Sequence, residues 1–367
     1  MGGPTELCSV GGKGASLFPG PKRGYDVQKL TRRIISAMLL GVAIYGAFVL
    51  YRGVANIAEC LKSFASWTFA AACALAFSNY VLRFLKWEYY LACLEIRGVP
   101  KGESFLTFLS GFVLTVTPGK VGEVFKSIIL FQLRGVPVAR TAPIVVAERV
   151  TDLIGVIVII TIGSVSFPGG LVWASFGAAA VLTLLILVAS PRLSEGLVQR
   201  LPGLPGALGR VGHRLAPKLL IALASLRALT TPRRLILPTL LSIGAWALEG
   251  IALWVILGGF GQHVPLPPTA FIYATSTLAG ALVPVPGGLG VTDGLLEQQM
   301  ARLVAVPATI ATASMLLVRF ATLWFAVAVG FIALAILRAR NPALSTTPEP
   351  TAGSDGGAAS ALGEKTP

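Results

Sequence analysis

Charged side chains are scarce in this sequence of 367 residues: they make up 13% of it, whereas hydrophobic residues make up 54%. A soluble domain carries about 25% charged residues, so the composition argues against an ordinary soluble fold. Acidic residues are fewer than basic ones, with 16 Asp and Glu against 30 Lys and Arg. In a membrane protein such an excess of basic residues collects in cytoplasmic loops. Membrane topology therefore explains the net charge of +14 better than nucleic-acid binding does.

Residue types that build metal centres and active sites are also few. The two histidines, His213 and His263, stand apart, and the four cysteines have neither metal-ligand spacing nor the pattern of a disulfide framework. The sequence contains no Walker loop, no Gly-x-Ser-x-Gly motif and no Asp-x-Asp pair. It therefore predicts no cofactor, no metal and no catalytic residue, and it disfavours both ATP-driven transport and catalysis by a soluble domain.

Long apolar runs dominate the sequence instead. A membrane-crossing helix needs about 20 mostly apolar residues, and such runs predict full spans at about 34–51, 64–82, 142–163, 171–189, 236–257 and 308–337. The tails at 1–33 and 339–367 have compositions that bury no core and are predicted to be disordered. Basic residues concentrate in the tails, in the segment 83–103 and in the connector 190–235. The positive-inside rule then places both termini in the cytoplasm of a multi-pass protein of the cell membrane.

Two further apolar stretches, 104–133 and 268–304, are interrupted by proline and glycine. The first is broken at Thr117-Pro-Gly-Lys-Val-Gly-Glu123 and the second at Pro284-Val-Pro-Gly-Gly-Leu-Gly290. Proline removes a helix donor and glycine loosens the backbone. Non-helical backbone survives at membrane depth only where it is buried in protein or lines a wet cavity. The sequence therefore predicts an all-α membrane protein with about six full transmembrane helices and two re-entrant helical hairpins.

The order span, span, hairpin, span occurs twice within the predicted membrane domain 34–338, at 34–163 and again at 171–337. Three crossings in each half make the second copy inverted relative to the first. The two hairpins then enter from opposite sides, so that their tips can approach each other near the midplane. Paired, Gly/Pro-interrupted segments at matching positions of two halves are typical of a transporter's substrate site.

Ionisable residues at membrane depth are rare and expensive, so each suggests a function. In the first hairpin, Thr117 can cap a half-helix whose first turn carries Lys120, with Glu123 and Lys126 following. A helix N-terminus and lysine together favour an anion such as phosphate. The alternative is an internal pair of Lys120 with Glu123. We take Thr117, Gly119, Lys120, Glu123 and Lys126 as candidate headgroup ligands.

The third span carries Glu148 and Asp152 on one face, with Arg149 within reach of Asp152. Two carboxylates at this spacing repel unless a cation or a proton intervenes. A structural salt-bridge network explains the pattern as readily as proton coupling does. Lys120, Lys126 or Arg149 would supply the cation.

The second hairpin adds three glycines that permit close backbone approach to a ligand, followed by two carboxylates four residues apart. The carboxylates either stabilise the helix start or face the lysines of the first hairpin, and Arg319 and Glu249 complete such a network. The candidate residues here are Gly287, Gly288, Gly290, Asp293 and Glu297.

These motifs resemble the lysylphosphatidylglycerol synthase transmembrane, or flippase-like, domain family. The resemblance rests on the first break with Lys126, on Glu148-Arg149-x-x-Asp152-Leu153 and on the second break. Arg83 is similar to a further family arginine, although the tryptophan that usually follows it directly is displaced to Trp87. Family members often carry Arg-Glu where this sequence has Thr292-Asp293, which puts the headgroup preference in question.

Multidomain members of that family join such a membrane domain to a soluble aminoacyl-transferase domain, and their membrane part is associated with moving the modified lipid across the bilayer. This sequence lacks the soluble domain, so the resemblance implies a stand-alone flippase-like protein and not aminoacyl transfer.

The leading hypothesis is therefore a transporter, not an enzyme, that moves an anionic phospholipid or a polyprenyl-phosphate-linked lipid between leaflets. The hairpin tips would hold the headgroup, and Arg83, Glu148, Arg149, Asp152, Asp293, Glu297 and Arg319 would form a charge network. One alternative is an intramembrane polyprenyl-phosphate glycosyl or phosphoryl transferase. Another is a non-transporting partner subunit of a lipid-modifying enzyme. The expected partners are membrane lipids, with a second copy or such an enzyme as further possibilities, and no nucleic acid.

Overall fold

The structure, a computed structural model, describes residues 43–47, 50, 53–116, 123–167, 170–190, 196, 198–200, 229, 231–283 and 285–344. Every regular element among these residues is helical, which confirms the predicted all-α class. The predicted tail 1–33, most of the span 34–51, most of the connector 190–235 and the tail from residue 345 lie outside the described residues. So do Thr117, Gly119, Lys120 and Pro284.

The first group of helices lies between residues 54 and 189. Short 3₁₀ turns join or extend some of them, as at Gly111–Leu114 after the third helix. The helices are α1 Val54–Lys62, α2 Ser66–Cys93, α3 Lys101–Ser110, α4 Phe125–Arg134, α5 Val138–Ser164 and α6 Gly170–Ala189.

The second group of helices begins at residue 232. A 3₁₀ turn at Pro286–Gly288 separates two of them, and a π-helical turn at Phe320–Trp324 links the last two into one rod. The helices are α7 Pro232–Gly259, α8 Leu266–Leu282, α9 Val291–Leu303, α10 Ala308–Arg319 and α11 Phe325–Arg340.

Three of the described helices are long and apolar enough to cross a membrane: Ser66–Cys93, Arg233–Gly259 and the rod Ala308–Arg340. They coincide with the predicted spans 64–82, 236–257 and 308–337. Helices α5 and α6, of 27 and 20 residues, cover the predicted spans 142–163 and 171–189. Helix α5 carries several charged side chains, and its membrane crossing and that of α6 stay predictions.

The end of α2 differs from the prediction. The apolar run stops at Leu82, but the helix continues to Cys93, and the cytoplasmic location of the segment 83–103 stays a prediction. Arg83 and Lys86 lie inside the helix, and the Lys86 side chain is fully buried. Acidic groups of other helices neutralise both cations. A charged residue therefore did not mark the end of this helix.

Both Pro/Gly-interrupted stretches are broken, as predicted. The first has α3 and its 3₁₀ turn on one side and α4 on the other. In the second, α8 and α9 flank a turn in which Gly287, Gly288 and Gly290 adopt φ values of +61°, +66° and +82°. L-residues with a side chain rarely adopt such values. A Cβ atom on Gly280 would lie 1.9 Å from the Thr292 hydroxyl, so the two arms of this hairpin pack with almost no space between them.

The second break lies next to Val116, the last residue described before the first break. A Cβ atom on Gly287 would be 3.3 Å from side-chain atoms of Val116 in the first hairpin and of Leu323 in the last rod. The rod also packs on the first hairpin at Gly330, where a Cβ atom would lie 2.7 Å from the backbone nitrogen of Val113. The last rod therefore contacts both hairpins.

Small residues bring the long helices together elsewhere. A Cβ atom on Gly155 of α5 would lie 3.0 Å from the Ser242 backbone of α7, and one on Gly163 would lie 2.6 Å from the carbonyl oxygen of Pro267. Lipid tails are as apolar as leucine, so membrane helices associate through close packing and polar contacts instead of hydrophobic burial. The interfaces of α5 with α7 and α8 follow this rule.

Candidate functional site: a charged cavity between two helix breaks

A cavity of about 270 Å³ is lined by residues of both Pro/Gly-interrupted stretches, and we call it the inter-hairpin cavity. Helices α2, α5, α7 and α8, both hairpins and the last rod contribute to its wall. Its apolar part includes Phe112, Leu153, Val156, Leu278 and Leu323. Its charged lining residues are Arg83, Arg149, Asp152, Glu249 and Arg319.

Asp152 lies at the centre of the charged wall and is almost completely buried. Its Oδ1 atom lies 2.5 Å from the Lys86 Nζ atom and accepts a hydrogen bond from the Ser242 hydroxyl at 3.0 Å. Its Oδ2 atom lies 3.1 Å from Arg149 and 4.0 Å from Arg83. The pair of Arg149 with Asp152 confirms the contact predicted from their spacing. Asp152 thus ties α2, α5 and α7 together.

Glu123, the first described residue after the first break, bridges two arginines. Its Oε1 atom accepts a hydrogen bond from Arg83 at 3.4 Å, and its Oε2 atom accepts one from Arg149 at 3.0 Å. Arg83 also stacks over the Phe112 ring, 5.7 Å from its centroid. We call Arg83, Lys86, Glu123, Arg149 and Asp152 the Asp152 cluster.

The three cations of this cluster differ in exposure. The Lys86 side chain is 0% exposed, that of Arg83 is 13% exposed and that of Arg149 is 30% exposed. Only the two arginines line the inter-hairpin cavity. A ligand in the cavity therefore meets guanidinium groups, whose planar donors match phosphate oxygens.

Lys126 and Glu148 form a separate pair. The ammonium lies 2.6 Å from Glu148 Oε2 and sits over the rings of Trp87 and Phe108, 4.6 and 5.1 Å from their centroids. Both partners are buried, and neither lines the inter-hairpin cavity. Lys126 was predicted to bind phosphate, but in this structure its charge is directed at Glu148.

Asp293 organises the second break. One of its oxygens accepts a hydrogen bond from the Gly290 backbone N–H at 2.7 Å, which stabilises the start of α9. The other lies 2.7 Å from Arg319 Nε. Arg319 also donates to the carbonyl oxygen of Gly287 at 2.6 Å. Of the two interpretations of Asp293, helix stabilisation is therefore the one that the structure supports.

Glu297 lies one turn further along α9. It is buried and accepts a hydrogen bond from the Thr312 hydroxyl of α10 at 2.9 Å. It does not line the inter-hairpin cavity, so the structure separates it from the Asp152 cluster with which the sequence had grouped it.

The cavity wall also contains polar residues that are not part of the Asp152 cluster. Tyr273 donates a hydrogen bond to Glu249 at 2.7 Å, and Tyr80 donates one to the carbonyl oxygen of Thr322 at 3.2 Å. Thr322 belongs to the π-helical turn that follows Arg319. Such turns are frequent at functional sites, and this one places Thr322 and Leu323 in the cavity wall.

Sequence reasoning missed three of these residues. Lys86 was counted only among the basic residues of the segment 83–103, although its spacing of three residues from Arg83 puts both on one helix face. Nothing in the sequence singles out Tyr80 or Tyr273. Among the described residues, no group of three or more His, Cys, Asp and Glu side chains is placed to hold a metal ion.

Comparison with known proteins gives a family match and two relatives. The family model described as the lysylphosphatidylglycerol synthase TM region matches residues 38–330. Two proteins of Methanothermobacter thermautotrophicus (strain Delta H), each described as a UPF0104 membrane protein, are similar to the chain. One is 26% identical over 225 residues, which cover 58% of this chain and 66% of that protein. The other is 23% identical over 299 residues, which cover 74% and 84%.

We predict that Arg319→Met destabilises the protein by about 3–5 kcal/mol, because it leaves the buried Asp293 carboxylate without its ion-pair partner. The double variant Arg319→Met/Asp293→Asn should recover more than half of that loss, since it removes both charges. Thermal unfolding of purified protein in one detergent measures both, with the exposed Arg302→Met as the control. A double variant as unstable as the sum of its two single variants would contradict this assignment.

Proposed function

The chain belongs to the family described as the lysylphosphatidylglycerol synthase TM region, and from this premise we propose that it is a lipid transporter and not an enzyme. The transporter passes a phosphate-bearing headgroup between leaflets through the inter-hairpin cavity. The name of the family refers to a phospholipid, and the cavity supplies arginine side chains that can bind the phosphate of such a headgroup.

The observation that carries this proposal is the carboxylate of Glu123 held between Arg83 and Arg149. Both guanidinium groups line the cavity, and each lies within 3.4 Å of one oxygen of this anion. The arrangement is that of two arginines set to bind anionic oxygens. A phosphate presents the same kind of acceptor with a larger charge. The headgroup phosphate would therefore bind at these arginines.

The rest of the cavity suits a lipid. Leu153, Val156 and Leu278 give it an apolar side, and Leu282 at its edge is 77% exposed. In a bilayer the exposed apolar surface of a helical protein faces lipid tails. Acyl or prenyl chains would then remain in the bilayer beside α8 while the headgroup enters the cavity. Phospholipids and polyprenyl-phosphate-linked lipids share the phosphate that this site would take.

We further propose that both breaks lie at membrane depth as re-entrant hairpins of an inverted repeat, with both termini in the cytoplasm of a cell-membrane protein. Residues of both hairpins, among them Thr115, Gly287 and Gly288, line a cavity that contains charged side chains, and non-helical backbone inside a membrane requires such a cavity or burial in protein. The repeated order of long helices and broken stretches supports the inversion.

Tags placed before residue 1 and after residue 367 test this topology. Antibodies should reach both tags only after the cells are permeabilised. The variant Lys62→Cys is the control, because residue 62 is exposed and lies between the predicted spans 34–51 and 64–82. A cytoplasmic N-terminus puts this segment outside the cell, so an impermeant maleimide should label it in intact cells. A tag that is accessible in intact cells would contradict the inverted arrangement.

Transport is tested by leaflet accessibility of fluorescent phosphatidylglycerol in liposomes that contain the purified protein. Wild type should expose inner-leaflet lipid to a quencher faster than empty liposomes do. Arg149→Gln should slow this at least about tenfold, since a hydrogen bond to a charged group contributes about 1.5–3 kcal/mol. The fold should survive, because Asp152 keeps Lys86 and Arg83, and Glu123 keeps Arg83.

The control is Arg134→Gln, which removes an arginine that pairs with Glu103 on the surface and should transport as wild type does. A wild type no faster than empty liposomes with any phosphate-bearing lipid would reject transport. Equal rates for wild type and Arg149→Gln would reject the site.

A further inference from the structure

Lys86 is a fully buried cation that lies behind the wall of the proposed headgroup site. It lies in α2, and its ammonium contacts Asp152 Oδ1 at 2.5 Å, the Ser242 hydroxyl at 2.8 Å and the Thr151 hydroxyl at 3.4 Å. It does not line the inter-hairpin cavity. Burying an ammonium group is costly even when it is paired. Asp152 also has two arginines within 4.0 Å, so ion pairing of Asp152 alone does not explain why a third cation is present.

The charges of the Asp152 cluster suggest the reason. Without Lys86, the positive charges of Arg83 and Arg149 would be balanced by Glu123 and Asp152. An anion entering the cavity would then meet no net attraction from this wall. With Lys86 the cluster carries one positive charge in excess.

Among the residues that the structure describes, the neighbouring charges do not replace this excess. Lys126 is paired with Glu148, and Arg319 is paired with Asp293. Glu249, which lines the cavity from α7, carries a negative charge that opposes an anion. Counted together with Glu249, the described charges around the cavity cancel when Lys86 is present and leave one net negative charge when it is absent, so binding of an anionic headgroup depends on the ammonium of Lys86 behind this wall.

The geometry also divides the two oxygens of Asp152 between different partners. Lys86 and Ser242 hold Oδ1, whereas Arg149 and Arg83 lie beside Oδ2. The carboxylate is thereby fixed in one orientation, with its inner oxygen turned to α2 and α7. Arg149 is then located by Oδ2 and by Glu123 at the cavity wall.

We propose that Lys86 is a positioning residue that sets the headgroup preference of the cavity. By neutralising Asp152 from the buried side, it leaves the two arginines with only the charge of Glu123 to balance, so that one positive charge of the Asp152 cluster can pair with a phosphate. This inference rests on the proposed function, because it presumes that the two arginines hold the headgroup. It predicts that charge selectivity depends on a residue that never contacts the lipid.

The test compares the affinity for fluorescent phosphatidylglycerol with that for a diacylglycerol carrying the same label and chains, using purified protein in nanodiscs of uncharged lipid. The ratio of the two affinities reports charge preference. Lys86→Met should lower this ratio about tenfold, the order that Coulomb's law gives for one unit charge at about 10 Å and an effective dielectric constant of about 20.

Two further variants separate charge from structure. Asp152→Asn removes a negative charge and should raise the ratio, whereas a purely structural role of this ion pair predicts a fall in both variants. Ser242→Ala removes a hydrogen bond from the same oxygen without changing charge, and it should keep the ratio within about twofold of wild type. Asp152→Asn also keeps the proposal testable if Lys86→Met does not fold.

The inference is overturned if Lys86→Met leaves the ratio unchanged, if Asp152→Asn lowers it, or if Ser242→Ala lowers it as much as Lys86→Met does. The proposed function itself is rejected if wild type binds both lipids equally or binds neither of them. The inference about Lys86 is then rejected as well, because it rests on that function.

Discussion

The buried carboxylate of Asp152 is the constraint on which this architecture depends. It holds Lys86 of α2 and the Ser242 hydroxyl of α7 on one oxygen and lies beside Arg149 of its own helix on the other. Membrane helices gain little from burying apolar surface against each other. A charge taken out of water must also be compensated by a precisely placed partner. The three helices are therefore fixed where this carboxylate requires them.

Two further ion pairs extend the same principle to the broken helices. Lys126 with Glu148 joins the second arm of the first hairpin to α5, and Arg319 with Asp293 joins α9 to the last rod. Arg319 also binds the backbone of the second break at Gly287. These pairs hold the arms of both hairpins against their neighbours, and the space between the hairpins is a cavity with arginines in its wall.

Much of this arrangement could be predicted from the sequence because its signals are local. Proline and glycine marked both breaks, and three-residue spacing predicted the pair of Arg149 with Asp152. The sequence suggested Lys126 as a cation for Glu148 or Asp152 and Arg319 for the carboxylates of the second hairpin, but packing between segments 22 or more residues apart decides which residues pair. The burial of Lys86 in α2 was not predicted for the same reason: the sequence shows no counterion for it until Asp152, 66 residues away, is placed beside it.

The central claim is that a lipid phosphate binds at Arg83 and Arg149, between the two breaks. A cryo-EM map of the protein in nanodiscs of phosphatidylglycerol tests this claim most directly. The account predicts headgroup density within hydrogen-bond distance of both guanidinium groups, with the acyl chains leaving the cavity beside Leu282. Ordered headgroup density at another surface, with the inter-hairpin cavity holding no lipid, would contradict it.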